Sequence, residues 1–171
     1  MFNKNLKLVL AFAIVAFAGY QFVQGEIGNG IFLILLSLIF VFLYFRNELI
    51  LLSFLRMRKQ DLDGTEKWLK KIKNPEAALT TKQQGYYNYL HGIIYSQKNL
   101  TQAEKYFRKA LKLGLNMDYD VAMAKLSLAG ISMQKRRKRE ATNLLQEAKK
   151  LDKNNMLSEQ IKMMQQQLKK I

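Results

Sequence analysis

The side chains that most often carry out chemistry are scarce in this sequence. It contains one histidine, His91, and no cysteine. Two-histidine metal sites, thiol catalysis, disulfides and zinc fingers are therefore excluded. No serine lies in the context of a nucleophile elbow. The segment Asp61 to Gly64 opens like a calcium loop, but position twelve of that loop is Ile72, which cannot ligate the ion. We predict no catalytic residue, no metal site and no cofactor, and we do not expect an enzyme.

The densest charge in the chain is the basic run Lys135, Arg136, Arg137, Lys138 and Arg139. A single neighbouring acid, Glu140, cannot neutralise five cations, so the run is predicted to be solvated or to contact an anion. Acidic lipid and RNA are the candidate anions. No aromatic residue is interleaved for base stacking, so any binding to nucleic acid should be directed to phosphates and be sensitive to salt.

Two apolar segments near the N-terminus, at about 6–24 and 27–45, are predicted to span a membrane. Of the nineteen residues in 27–45, fourteen are Ile, Leu, Val or Phe, and as a helix they cover about 28 Å. The glycine-rich segment 24–30 would form the turn of a two-helix hairpin. A cleavable signal peptide, suggested by Ala16-Phe17-Ala18, fits less well because the apolar run continues through Val23 and a second one follows.

The distribution of charge orients the predicted hairpin. The chain carries a net charge of +15, and residues 1–45 contribute only +1 of it. Basic residues flank the two segments on one side, at Lys4, Lys7, Arg46, Arg56, Arg58 and Lys59. The turn contains no lysine or arginine, so both termini are expected in the cytoplasm. The lack of cysteine and the composition suit a bacterial inner membrane.

The rest of the chain is expected to be helical, because it contains one proline and few β-branched runs. No proline or glycine lies between Phe45 and Gly64, so one helix is predicted to leave the membrane and continue to Gln60. A second helix should run from Thr65 to Lys73, with Asp63 as its N-cap residue.

Residues 80–116 contain the pattern of a helix pair. Large and small apolar residues recur at Tyr87, Leu90, Ile94, Leu100, Ala103, Phe107 and Ala110. This order and spacing resemble a tetratricopeptide repeat, a helix-turn-helix unit. The pattern returns 38 residues further on, more weakly, at Leu128, Ala129, Ala141, Leu145 and Ala148. Thr101 is predicted to cap the second helix of the first pair, with Glu104 completing the capping box, and Gly114 to end it.

These patterns predict an all-α fold. Residues 1–45 would form the two-helix transmembrane hairpin, and residues 46–171 a cytoplasmic domain that the resemblance makes a right-handed helical solenoid. Within that domain, 46–79 would be a degenerate repeat, 80–116 and 117–154 two repeats, and 155–171 a C-terminal capping helix.

The resemblance also implies a binding surface. In tetratricopeptide proteins, peptides often lie on the concave side formed by the first helices of successive repeats. The positions that match in this chain are Asn88, Tyr95, Met123, Leu126 and Met133. Such a surface would be neutral and adaptable to an apolar peptide. In the alternative, the C-terminal helix occupies part of this groove.

Three functions fit the sequence. The first is a membrane-anchored adaptor or scaffold that binds a protein partner through its solenoid. The second is an electrostatic tether that holds RNA, ribosomes or acidic lipid through residues 135–139, which are predicted to form the turn between the two helices of the last repeat. The third is an accessory assembly subunit of a larger membrane complex, which the sequence does not separate from the first.

Overall fold

The structure is a computed structural model that describes residues 4–45 and 47–170, without the side chains of residues 4, 5, 7 and 45. The predicted all-α class is confirmed, since these residues form ten α-helices and no strand. The helices are α1 (Lys4–Val23), α2 (Ile27–Phe45), α3 (Glu48–Arg58), α4 (Leu62–Leu69), α5 (Pro75–Ala78), α6 (Thr81–Lys98), α7 (Leu100–Leu113), α8 (Asp118–Gln134), α9 (Lys138–Leu151) and α10 (Ser158–Lys169). Arg46, a predicted basic flank, and Ile171, the last residue of the predicted capping segment, lie outside the described residues.

The chain divides into two compact units, Met1–Gln83 and Gln84–Ile171. The predicted boundary at 45/46 separated apolar from soluble sequence, which is a different criterion from compactness. That boundary and the repeat boundaries stay predictions.

In the first unit, α1 and α2 pack against each other. Small residues allow the approach: Ala11 and Ala18 are buried, and a Cβ on Gly30 would lie 2.7 Å from the ring of Phe22. Among the described helices only α2 is long and apolar enough to cross a membrane, with a mean hydropathy of 2.4 over Ile27–Tyr44. The apolar part of α1, Leu8–Val23, is shorter.

The prediction of one continuous helix from residue 27 to residue 60 is wrong. Helix α2 ends at Phe45, and Asn47 is the N-cap residue of α3. Its side-chain oxygen accepts a hydrogen bond from the Leu49 amide at 3.0 Å, and its ψ of 128° is not helical. Asparagine is favoured at this position because its side-chain oxygen accepts a hydrogen bond from a backbone amide that has no carbonyl acceptor in the first turn of the helix.

The predicted start of the next helix is also wrong. Asp61, not Asp63, caps α4, and its carboxylate accepts a hydrogen bond from the Gly64 amide at 2.7 Å. A Cβ on Gly64 would lie 2.1 Å from that carboxylate, so this close approach requires glycine. The helix ends at Leu69 rather than Lys73, and Asn74 caps the short α5.

The second unit contains two helix pairs, α6 with α7 and α8 with α9, followed by α10. Of the twelve residues in the predicted repeat pattern, ten are buried, and Tyr87 and Leu100 are partly buried. Glycine lets α6 approach α7, since a Cβ on Gly92 would lie 2.8 Å from the ring of Phe107. Helix α7 in turn contacts α8.

The ends of α7 are partly as predicted. Gly114 follows its last residue with a φ of 89°, and its amide donates to the Ala110 carbonyl at 3.0 Å, which confirms the predicted stop. The predicted cap at Thr101 is wrong, because Asn99 accepts hydrogen bonds from the amides of Thr101 and Gln102. Asn99 lies two residues before Thr101, so the helix begins two residues earlier than predicted and its free amides are those of Thr101 and Gln102.

Helix α10 lies against α8 and α9. Its apolar residues Ile161 and Leu168, together with Leu157 just before it, join a buried cluster with Ala129, Leu145 and other residues of the second helix pair. The last apolar face of this pair is therefore covered.

Candidate functional site

The single histidine lies in a cluster of aromatic rings. His91 is 8% exposed, and its ring centroid is 4.5 Å from that of Tyr87 and 5.1 Å from that of Tyr106. Tyr95 stacks on Tyr106 at 5.2 Å. We call these four residues the aromatic cluster. Burial raises the pKa of Tyr87 and of Tyr106, so both phenols are neutral near pH 7.

Sequence reasoning missed Tyr106, because it considered only the first helix of each pair as a contact surface. The spacing of the other three residues at i, i+4 and i+8 on α6 indicates one face of a helix. That pattern does not show which helix provides the fourth ring. In the described part of the chain, no group of three or more His, Cys, Asp or Glu side chains could hold a metal ion.

The structure does not bring the five predicted groove residues together as one open surface. Asn88 is buried, and its amide donates to the Gln84 carbonyl within α6. Tyr95 is partly exposed, but it stacks on α7, the partner helix of its own pair. Met123 is partly buried against the core.

The last two groove residues are covered by the C-terminal segment. Leu126 and Met133 belong to the same buried cluster as Leu157 and Ile161, and each is 6% exposed. The side chain of Met164 lies 3.4 Å from where a Cβ on Gly130 would be. On this side of α8, the C-terminal helix therefore occupies part of the predicted groove, as in the alternative given above.

The basic run is not a turn throughout. Helix α8 ends at Gln134 and α9 begins at Lys138, so residues 135–137 form the connection while Lys138 and Arg139 are helical. Arg136 has a φ of 56°, the left-handed conformation that reverses the chain between the two helices.

Two of the five cations pair with Glu104, an acid that the sequence predicted as part of a helix cap. Lys135 Nζ lies 2.7 Å from one carboxylate oxygen of Glu104, and Arg137 Nη1 lies 2.8 Å from the other. Arg108, on the same helix as Glu104, donates to Glu104 at 2.9 Å and also pairs with Glu140. The anion that Lys135 and Arg137 contact is therefore an acid of the protein itself, although Arg137 stays exposed.

We call Glu104, Arg108, Lys135, Arg137 and Glu140 the ion network. Burial alone would raise the pKa of Glu104, but hydrogen bonds from Lys135, Arg108 and Arg137 outweigh it and lower the pKa to about 2. The pKa of Glu140 is also lowered, mainly by Arg108. The network ties α7 to the connection between α8 and α9.

The other three cations lie outside the ion network. Arg136, Lys138 and Arg139 are exposed, and no described carboxylate lies within ion-pair distance of them. Lys138 also lines an open depression of about 530 Å³ together with Lys162 and Lys169 of α10. The cationic surface of the second unit therefore extends from the basic run to the C-terminal helix.

Comparison of the chain with protein-family models, with curated proteins and with solved structures finds no match.

Proposed function

We propose that the protein is an integral membrane adaptor, anchored by a hairpin of α1 and α2 with both termini in the cytoplasm of a bacterium. Only 11% of the apolar window in α2 is buried, whereas an apolar helix in the core of a soluble protein is mostly buried. Phe32, Leu38 and Phe42 are each more than half exposed. Lipid is the solvent that suits such a surface.

The proposal gives α1 the role of the second span. Helix α1 has 20 residues, enough for about 30 Å, and it packs on α2. Val9, Phe12 and Phe17 on its outer side are exposed. A paired helix whose outer side is apolar favours insertion together with its partner.

The second half of the proposal is that α6 to α9 form two tetratricopeptide-like repeats of a right-handed solenoid that binds a protein. The observation that carries it is the recurrence of one packing unit. Ala103, Phe107 and Ala110 of α7 are buried, and so are Ala141, Leu145 and Ala148 at the same spacing in α9. Small residues on either side of a large one support close helix pairing in both units.

Because α10 covers Leu126 and Met133, we propose that the partner contacts the exposed side of the aromatic cluster. Tyr87, Tyr95 and Tyr106 are all partly exposed. Tyrosine is well suited to an interface, since its ring provides contact area and its hydroxyl a hydrogen bond. Asn88 has no place in this contact, because it is buried.

A second candidate function, the electrostatic tether, is favoured by Arg136, Lys138 and Arg139. Their exposed charges could hold RNA, ribosomes or acidic lipid. These three residues can be changed without touching the ion network, so the two candidates can be separated cleanly. An accessory subunit of a larger membrane complex is a special case of the adaptor, in which the partner is that complex.

The deciding experiment is a pull-down of the tagged full chain from gently solubilised native membranes, at low and high salt, with and without nuclease. Two variants accompany the wild type: Tyr95→Ala, and the triple variant R136Q/K138Q/R139Q. The adaptor predicts a discrete protein that survives salt and nuclease, is lost with Tyr95→Ala and is kept by the triple variant. The tether predicts the reverse pattern. Loss of all bound material under high salt in the wild type would contradict the adaptor.

A further inference from the structure

The exposed face of α3 is apolar at one end and basic at the other. Leu51 is 41% exposed and Leu55 is 49% exposed, and they lie one turn apart on the same face. Arg58 and Lys59 follow on that side, both exposed. The opposite face is packed, with Ile50 and Ser53 buried. Two exposed leucines on one face of an eleven-residue helix leave that face without a partner in the described structure.

This face follows the candidate span directly. Helix α3 begins three residues after α2 ends. The end of α2 already has polar surroundings, since the Gln83 side chain donates to the Tyr44 carbonyl at 3.0 Å. Because the polar side chain of Gln83 reaches the Tyr44 carbonyl, the part of α2 that lies in hydrocarbon should end near Tyr44. The break at Asn47 then starts α3 at the depth of the lipid headgroups instead of carrying it straight out into water.

Charge favours the same location. Among the described residues, no carboxylate lies within ion-pair distance of Arg58 or Lys59, and Arg56 pairs with Asp61 at 3.4 Å. The one acid of α3, Glu48, lies in the first turn, about 15 Å along the axis from Arg58. Short helices with leucines on one side and cations beside them lie flat in the interface of anionic bilayers.

We propose that α3 is an interfacial helix, whose leucines Leu51 and Leu55 insert into the bilayer that α2 crosses while Arg58 and Lys59 bind anionic lipid headgroups. This inference rests on the proposed membrane span of α2. The protein would then have a lipid-contact surface in its first compact unit, whereas residues 135–139 belong to the second unit.

The absence of native cysteine makes the test direct. Single variants Leu51→Cys and Leu55→Cys of the full chain carry a nitroxide spin label in nanodiscs of phosphatidylcholine and phosphatidylglycerol. The measurement is the ratio of label collisions with oxygen, which concentrates in lipid, to collisions with a water-soluble nickel chelate. Phe42→Cys in α2 is the membrane reference. Met163→Cys in α10 is the matched control, because it is an exposed apolar residue on a helix of similar length.

We expect labels at Leu51 and Leu55 to give a ratio several-fold above that at Met163 and close to that at Phe42. If Phe42 gives a high ratio while Leu51 and Leu55 resemble Met163, the interfacial assignment is overturned and the span stands. If Phe42 itself resembles Met163, the proposed membrane anchoring fails, and the interfacial assignment fails with it.

The headgroup contact has its own measurement. In nanodiscs of phosphatidylcholine alone, the ratio at Leu55 should fall, because Arg58 and Lys59 lose their anionic partners. The variant R58Q/K59Q should show the lower ratio in both lipid compositions. An unchanged ratio at Leu55 after either change would overturn the assignment to anionic lipid.

Discussion

Replacing Glu104 with glutamine tests the ion network while nearly preserving the shape of the side chain. Three cationic side chains converge on this carboxylate, at 2.7, 2.8 and 2.9 Å. Glutamine can accept only part of these hydrogen bonds and carries no charge to attract the cations. We expect Glu104→Gln to lower the free energy of unfolding of the second unit.

The magnitude follows from the pKa. A fall from the ordinary value of 4.5 to about 2 sets an upper limit of about 3 kcal/mol at pH 7. The side chains of Arg108 and Arg137 are nearly half exposed, so solvent screening reduces the expected loss to about 1 to 2 kcal/mol.

The pH dependence identifies the cause. Because the folded-state pKa is below the unfolded-state value, the stabilising contribution is fully present above pH 4.5 and is lost as the pH falls towards about 2. The difference between wild type and Glu104→Gln should therefore be constant from about pH 6 to 8 and should narrow below about pH 4.

The assay is urea unfolding of the full chain in a mild detergent, followed by far-ultraviolet circular dichroism at neutral and acid pH. Glu147→Gln is the matched control, because among the described residues Glu147 pairs only with Lys125 and its side chain is 52% exposed. This variant should change stability by less than about 0.5 kcal/mol. Equal effects of the two variants, or a difference that does not narrow in acid, would refute the reasoning.

Three further predictions concern packing, capping and topology. Ala103→Leu should overpack the α6–α7 pair and destabilise it by about 1 to 3 kcal/mol in urea unfolding. Lys105→Leu, a change at an exposed neighbouring residue, should have little effect. An unchanged unfolding midpoint for Ala103→Leu would count against close pairing at this site. Asn47→Ala removes the cap of α3 and should cost about 1 kcal/mol, seen as faster hydrogen exchange of the amides in the first turn of α3 but not of α4. For topology, a membrane-impermeant maleimide should label Gln24→Cys in intact bacterial cells and Met117→Cys only after permeabilisation, and the opposite pattern would invert the proposed orientation.

The buried face of each helix pair was largely predictable from sequence. Ala103, Phe107 and Ala110 are buried as their spacing indicates, and the stop at Gly114 is where a glycine after an amphipathic helix predicts it. Helical periodicity and C-terminal glycines are local signals, so one stretch of sequence is enough to interpret them.

Helix starts were less predictable, because neighbouring residues compete for the same role. Asn99 and Thr101 are both good caps, as are Asp61 and Asp63, and in each case the earlier residue is the cap. The break at Asn47 has the same origin. A chain without proline or glycine suggested a continuous helix, but a single asparagine side chain supplied an alternative partner for the backbone.

The candidate sites depended on contacts that a linear pattern does not contain. Glu104 lies 31 residues from Lys135, and its charge decided which cations of the basic run are paired. The burial of Leu126 and Met133 depended on where α10 packs. Side chains far apart in sequence meet only through the tertiary fold. The sequence alone could therefore not show which of the five cations are paired, or which of the five groove residues are covered.

The break at Asn47 also has a mechanical consequence. A continuous helix behaves as a stiff rod, and any tilt of a membrane span would swing the protein beyond it through the same angle. Bilayers of different thickness do tilt such spans. Asn47 is not helical, so no continuous rod transmits that rotation from α2 to α3. If α2 spans the membrane as proposed, a change of bilayer thickness should therefore be absorbed at Asn47, and α3 can keep its own orientation to the membrane plane.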